Sequence, residues 1–269
     1  MMPLIFCDNT SMKSNLSPSL AAPHPLLREE NGELSLHFNF PTIQSRMLTA
    51  DPQRLILDYT RTMMGFLLLL PKPGHIAMIG LGGGSLAKYC YHSLPQADFT
   101  AIELCPEVIA LRERFDIPAD DSRFRIVCAD GAEFVRRAKE SFDVLMVDGF
   151  DHDGQPEALS STEFYDNCHA ALRTNGVLVV NLCSDDPKRD LYLSRLNTSF
   201  NSKVILAEAD EGENTIAFAS KGLPFPPQFS EITDRLRQLE SHHPVELDQT
   251  AQKILGRSSR KPQTRRKKR

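Results

Sequence analysis

After Gly74 the chain alternates apolar runs with helical periods, and no other feature narrows its fold so far. HIAMI leads into SLAKYCYHSL, DFTAIE into PEVIALRERF, FRIVC into GAEFVRRAK and FDVLMVD into TEFYDNCHAAL, before GVLVVNL closes the series. Mostly apolar strands separated by helices predict an α/β fold, a parallel sheet covered on both faces. The pattern then changes. A helix is expected near residues 191–200, followed by KVILAEA and NTIAFAS with only Asp210-Glu211-Gly212-Glu213 between them. A parallel return needs a crossover of about a dozen residues, so this last pair must be an antiparallel hairpin.

Upstream of the alternation the periods differ. Residues 1–31 are rich in Ser, Pro and Asn without periodicity and read as irregular. ELSLHFNF alternates, with Leu34, Leu36 and Phe38 on one face, and with IQSRML predicts a small β-hairpin. Leu55, Tyr59, Met63, Phe66 and Leu70 recur at helical spacing, so one helix is expected over 54–70, stopped by Pro71-Lys72-Pro73-Gly74. The expected organisation is an irregular segment (1–31), a hairpin-plus-helix gate (32–73), a Rossmann-like nucleoside-binding domain (74–222), a helical extension (223–256) and a basic, disordered tail (257–269).

Composition excludes several classes. At 269 residues, 41% hydrophobic and 25% charged, the chain has the makeup of an ordinary soluble domain. Its longest apolar run, MMGFLLLLP, falls far short of the roughly 20 residues that cross a bilayer. No secretory leader is evident, and the six cysteines are scattered without CxxC pairing, as in a reduced, cytoplasmic protein. No Cys/His spacing suits a metal, and the adjacent His242 and His243 would point about 100° apart on a helix. The net charge of −4 hides a wholly basic tail, RSSRKPQTRRKKR. Lacking interleaved aromatics, that tail reads as a solvated end with at most weak contacts to nucleic acid.

In an open parallel sheet ligands bind beyond the carboxyl ends of the strands, and four positions fall there. Gly80, Gly82, Gly83 and Gly84 follow the first strand, where glycine permits positive φ and close approach of backbone amides to a ligand. A dinucleotide GxGxxG is matched only loosely, since the third glycine position is Ser85 or Ala87. Glu103 ends the second strand, placed to accept hydrogen bonds from both hydroxyls of a ribose. Asp130, followed by Gly131, could accept from an adenine amine or cap the next helix. After the fourth strand, Asp148, Asp151 and Asp153 crowd three repelling carboxylates into VDGFDHDG, which suits a cationic partner such as an amine, the alternative being an ordinary acidic loop.

IELCPEVI, CADGAEFV and VDGFDHDGQPEALSSTEFYDNCHAALRTNGVLVVNL resemble the spermidine synthases and related polyamine aminopropyltransferases, and the likeness runs over about residues 43–220. The resemblance implies a methyltransferase-type Rossmann-like sheet, five parallel strands plus the late hairpin, behind a small N-terminal β-hairpin region. By position, Asp148 is similar to the family's general base and Asp151 to its amine-binding acid. Glu103 resembles the ribose ligand and Asp130 the adenine ligand. Gln44 and Tyr59 are similar to gate residues contacting donor and acceptor. Three departures stand out: Gly83 replaces the aspartate that holds the donor's free amine, Thr60 replaces a His or Gln, and DEGEN replaces a Tyr-Pro-Ser-Gly-type segment.

The activity implied is transfer of an aminopropyl group from decarboxylated S-adenosylmethionine to a polyamine such as putrescine, by a homodimer without metal. Two alternatives stay open. One is methyl transfer to a small molecule from intact S-adenosylmethionine, to whose carboxylate the free backbone amides around Gly83 could donate. The other is a nucleoside-binding protein without catalysis.

Overall fold

A computed structural model describes residues 24–38, 42–150, 154–240 and 243–256. Strands β1 (Leu26–Glu30), β2 (Glu33–His37) and β3 (Ser45–Leu48) form a small antiparallel sheet in that order. The β2–β3 pairing is as expected, but β1 lies where the sequence suggested irregular chain. Its turn explains the difference: Asn31 and Gly32 have φ of 53° and 76°, the two positive angles of a tight hairpin turn matched to strand twist. LLREE carries no apolar alternation, so the Asn-Gly signal was the only one available. Leu34, Leu36 and Met47 point from this sheet into the main core.

The helix expected over 54–70 is shorter and interrupted. It appears as α1 (Asp58–Met63) and α2 (Phe66–Leu69), with a tightened turn at Met64-Gly65 where Gly65 N donates to Thr62 O at 2.9 Å. A Cβ on Gly65 would lie 2.5 Å from Thr250 Cγ2 and 3.0 Å from Phe218 Cζ. The chain is therefore pressed against two distant elements at the one residue that leaves room for them.

The main sheet contains β4 (His75–Ile79), β5 (Asp98–Glu103), β6 (Phe124–Cys128), β7 (Phe142–Val147), β8 (Leu172–Cys183), β9 (Val204–Glu208) and β10 (Asn214–Ser220). Their order is β6-β5-β4-β7-β8-β10-β9. Strands β4 to β8 pair in parallel, and β10 runs antiparallel to both β8 and β9. This is the expected sheet of five parallel strands and a late hairpin. Chain order reverses between β4 and β7, which opens a crevice at their carboxyl ends.

Helices cover both faces: α3 (Ser85–Ser93), α4 (Pro106–Ile109), α5 (Gly131–Arg137), α6 (Thr162–Ala171), α7 (Arg189–Ser199), α8 (Phe229–Glu240) and α9 (Asp248–Ile254). Strand alternation divides the apolar side chains into two layers. Met78, Met146, Val179 and Phe218 face α1–α3, α8 and α9, while Ile79, Val147, Leu178 and Val180 face α5–α7. Each such side chain contributes roughly 1.5–3 kcal/mol on full burial. The helix expected over 106–115 stops at Ile109 and continues as turns, in which Leu111 N donates to Val108 O and Arg112 N to Ile109 O; farther on, Asp116 adopts φ 53°, with Phe115 and Ile117 packed over the glycine-rich segment after β4. No helix among the described residues is long and apolar enough to cross a membrane.

Behind that segment Lys88 is wholly buried. Its Nζ donates to Phe115 O at 2.6 Å and lies 2.9 Å from Met47 Sδ, so one ammonium ties α3 to β3 and to the 110–117 turn. Burial pushes its pKa down to about 8 from 10.5, although Asp116 pulls the other way. The unfolded chain keeps this proton up to its ordinary value, so from about pH 8 to 10.5 the unfolded state binds more protons and folding stability rises with pH. That rise is on the order of 3 kcal/mol. Lys88→Met should lose it: guanidinium unfolding of both proteins at intervals from pH 7.5 to 10.5 should give a wild-type curve that climbs towards the variant's, and parallel curves would contradict the assignment.

Candidate functional site

The crevice is built by two turns that lock each other. Gly80 N donates to Ile102 O at 2.8 Å, and Asp148 N donates to Ile79 O at 2.9 Å, so the ends of β5, β4 and β7 are stitched in succession. Gly80 adopts φ 90°, and a Cβ there would lie 2.1 Å from Asp148 O. The backbone of Asp148 occupies the space a side chain would need. That contact sets Asp148 directly beside the glycine turn.

Glu103 is held from the same turn. Its Oε2 accepts from Leu81 N and its Oε1 from Cys105 N, both at 2.9 Å. A carboxylate oxygen has a second lone pair, so both remain able to accept from a ligand hydroxyl. Leu104, the next residue, is 66% exposed, an apolar side chain on the rim that sequence reasoning overlooked. Across the rim Asp130 caps α5, its Oδ1 accepting from Glu133 N at 2.9 Å, which leaves Oδ2 exposed. Gly131 is buried, and a Cβ on it would lie 2.5 Å from Ile79 Cγ2, so close helix–strand packing is reason enough for this glycine.

Gly82 and Gly84 adopt φ of 52° and 67°, and Gly84 forms the N-terminal cap of α3 without a side chain. Among the described residues the amides of Gly82 and Gly83 have no backbone acceptor. A Cβ on Gly83 would lie 2.7 Å from both Ser45 Oγ and Phe115 Cδ1, so no acidic side chain fits here unless both neighbours move. Ser45 comes from the start of β3, next to the half-buried Gln44, whose own N donates to Leu36 O at 2.8 Å. The small sheet thus overhangs the glycine turn through Ser45.

Asp148 lies half-buried. Asn181 Nδ2 donates to its Oδ1 at 2.9 Å and Tyr59 OH to its Oδ2 at 3.4 Å. Burial raises the pKa of Asp148, and the Asn181 and Tyr59 hydrogen bonds partly offset that rise. Tyr59 is pushed well above its ordinary value, by burial first and then by the Asp148 charge beside it. A carboxylate raised in this way is a stronger base than an exposed aspartate, while Tyr59 stays a neutral donor. Asn181 was detectable as the one amide in GVLVVNL, an apolar strand with no evident need of it.

The other two acids of the expected mouth, Asp151 and Asp153, lie outside the described residues. Beyond them Gln155 is buried, and among the described residues neither Oε1 nor Nε2 has a hydrogen-bond partner. Two unpaired buried atoms cost a few kcal/mol unless something meets them. Among the described residues no group of three His, Cys, Asp or Glu could hold a metal ion.

Residues 57–195 match the spermine/spermidine synthase domain. The chain is 38% identical over 244 residues to a polyamine aminopropyltransferase of Chromobacterium violaceum, covering 88% of this chain and 94% of that protein. A probable spermidine synthase from Corynebacterium glutamicum superposes with TM-score 0.68 at 21% identity, covering 86% of this chain and 89% of that one. Human methyltransferase-like protein 13 in complex with SAH superposes with TM-score 0.63 at 22% identity over 69% and 91%. At those identities the two structures bear on the fold alone.

The turn-on-turn contact can be tested against a control glycine. Gly212 also has positive φ, 81°, but nothing lies within 4 Å of a Cβ placed there. Gly212→Ala should cost about 1 kcal/mol from φ alone, whereas Gly80→Ala adds the Asp148 clash and should cost about 3–5 kcal/mol. Urea unfolding of both variants measures the difference, and equal losses would show that the two turns do not press together.

Proposed function

The chain belongs to the spermine/spermidine synthase family, and on that premise we propose that it moves an aminopropyl group from decarboxylated S-adenosylmethionine to a polyamine such as putrescine. The observation that carries this reading is the Asp148 carboxyl, raised by burial, held between Tyr59 and Asn181 and joined through its own backbone to the glycine turn. Glu103 would accept from the ribose hydroxyls, Leu104 would lie under the base, Asp130 Oδ2 would accept from the adenine amine, and Gln44 would border the donor. Asp151 and Tyr59 would hold the acceptor. A family-like homodimer belongs to the same proposal.

An acceptor amine is mostly protonated near pH 7 and must lose a proton before it attacks. Asp148 takes that proton as the nitrogen forms a bond to the methylene next to the sulfonium. The carbon–sulfur bond breaks, its electron pair returns to sulfur, and methylthioadenosine leaves as a neutral thioether. General-base assistance of this kind contributes typically 10²–10⁴-fold, and alignment of amine and methylene adds the gain of an intramolecular reaction.

A second reading has one observation in its favour. Ser45 and Phe115 fill the place of an acid at Gly83, and among the described residues the amides of Gly82 and Gly83 have no backbone acceptor, which suits a donor that keeps its carboxylate. Intact S-adenosylmethionine is such a donor, and methyl transfer would then be the reaction.

Incubation with putrescine and each donor in turn separates the readings. Methylthioadenosine is the expected product, S-adenosylhomocysteine would establish methyl transfer, and neither product would leave a nucleoside-binding protein. Asp148→Asn should bind the nucleoside as before while turnover falls about 10²–10⁴-fold. Because burial raises the pKa of Asp148, the acid limb of kcat/KM should lie above the usual aspartate range; an acid limb within that range would assign the base elsewhere.

A further inference from the structure

An asparagine amide presents a donor at one end and an acceptor at the other, and only its partners decide which end faces which way. At the end of β8 this choice has a consequence. Asn181 is 2% exposed and meets Asp148, which when ionised can only accept. The productive orientation therefore needs a donor behind Asn181 Oδ1. Asn214 Nδ2 supplies it at 3.0 Å. The antiparallel register brings the two within reach: Ile216 pairs with Asn181, so Asn214, two residues away on the same face, lies on the diagonal.

The relay leads back to its start. Asn214 follows the β9–β10 link, and within that link Glu211 N donates to Asp58 Oδ2 at 2.6 Å. Asp58, only 4% exposed, immediately precedes Tyr59, the second donor to Asp148. Lys253 of α9 holds Asp210 of the same link at 2.5 Å. Both oxygens of Asp148 are thus ligated by donors, Tyr59 and Asn181, whose neighbours Asp58 and Asn214 respectively bond and adjoin one five-residue link, 209–213.

We propose that Asn181, with its amide polarity set by Asn214, is a positioning residue for the transfer reaction, and that the β9–β10 link fixes the Asp148 carboxylate through it. The inference rests on the reading of Asp148 as the base. Among the described residues the groups facing Asp148 are Tyr59, with Asp58 behind it, from α1 and Asn181, with Asn214 behind it, from β8 and β10; the glycine turn contributes no titratable group.

Asn214→Leu removes the rear donor without adding charge, and Asn214→Ser restores a shorter one. Two measurements are made on the full-length protein: the Asp148 carboxyl titration by carbon-13 NMR without ligands, and the pH profile of kcat. The Leu variant should raise the Asp148 midpoint by about one pH unit, carry the acid limb of kcat with it, lower kcat about tenfold, and leave KM for the amine within about threefold. The Ser variant should recover most of the shift. An unmoved midpoint in a Leu variant that melts within a few degrees of wild type would overturn the proposal, as would Ser and Leu variants that behave alike. The titration does not depend on turnover. A wild type that forms neither product while the midpoint still shifts would therefore refute the reading of function and leave the relay standing.

Discussion

The contact between Gly80 and the backbone of Asp148 is the constraint from which the crevice follows. A Cβ at Gly80 would stand 2.1 Å from Asp148 O, so the turn after β4 and the turn after β7 are as close as two backbones can come. At the opposite end of the same strand pair, Asp143 Oδ2 accepts from Gly74 N and His75 N at 2.9 and 2.8 Å. Held at both ends, β4 and β7 cannot slip in register, and a slip of one residue would send Asp148 to the other face. Glu103 joins the frame through Leu81 N. A positively charged small molecule lying across these turns would meet two fixed carboxylates with little reorganisation left to do.

Buried polar groups here are placed rather than scattered. Lys88 beneath the glycine turn, Asp58 beneath the β9–β10 link and Asn181 beneath Asp148 are each buried. Each joins elements far apart in sequence: Lys88 ties α3 to β3 and the 110–117 turn, Asp58 ties α1 to the link, and Asn181 ties β8 to β7 and β10. Such groups contribute modestly to net stability but disfavour alternative packings, because a wrong arrangement leaves them unpaired. The small sheet and the helical C-terminal part are thereby fixed relative to the crevice, through Ser45 over Gly83 and Thr250 against Gly65.

Local chemistry was readable where a residue's neighbours in sequence are also its neighbours in space. The βα alternation, the forced hairpin across four residues, the cap at Asp130 and the acid at the end of β5 all follow from short stretches. The strand at 26–30 escaped because LLREE has no alternation and its evidence lay in Asn31-Gly32. The single helix expected over 54–70 broke because Gly65 meets Phe218 and Thr250, which lie more than 150 residues away.

By itself the sequence determined the sheet, its direction changes and the strand ends at which chemistry-bearing residues lie, because apolar periodicity and link length act within a few residues. Only the tertiary structure decided what those residues touch. It filled the space beside Gly83 with Ser45 and Phe115, and it put Tyr59 and Asn181 on the two oxygens of Asp148. Such contacts depend on distances across the sheet and between layers, and those are set by packing rather than by any period along the chain.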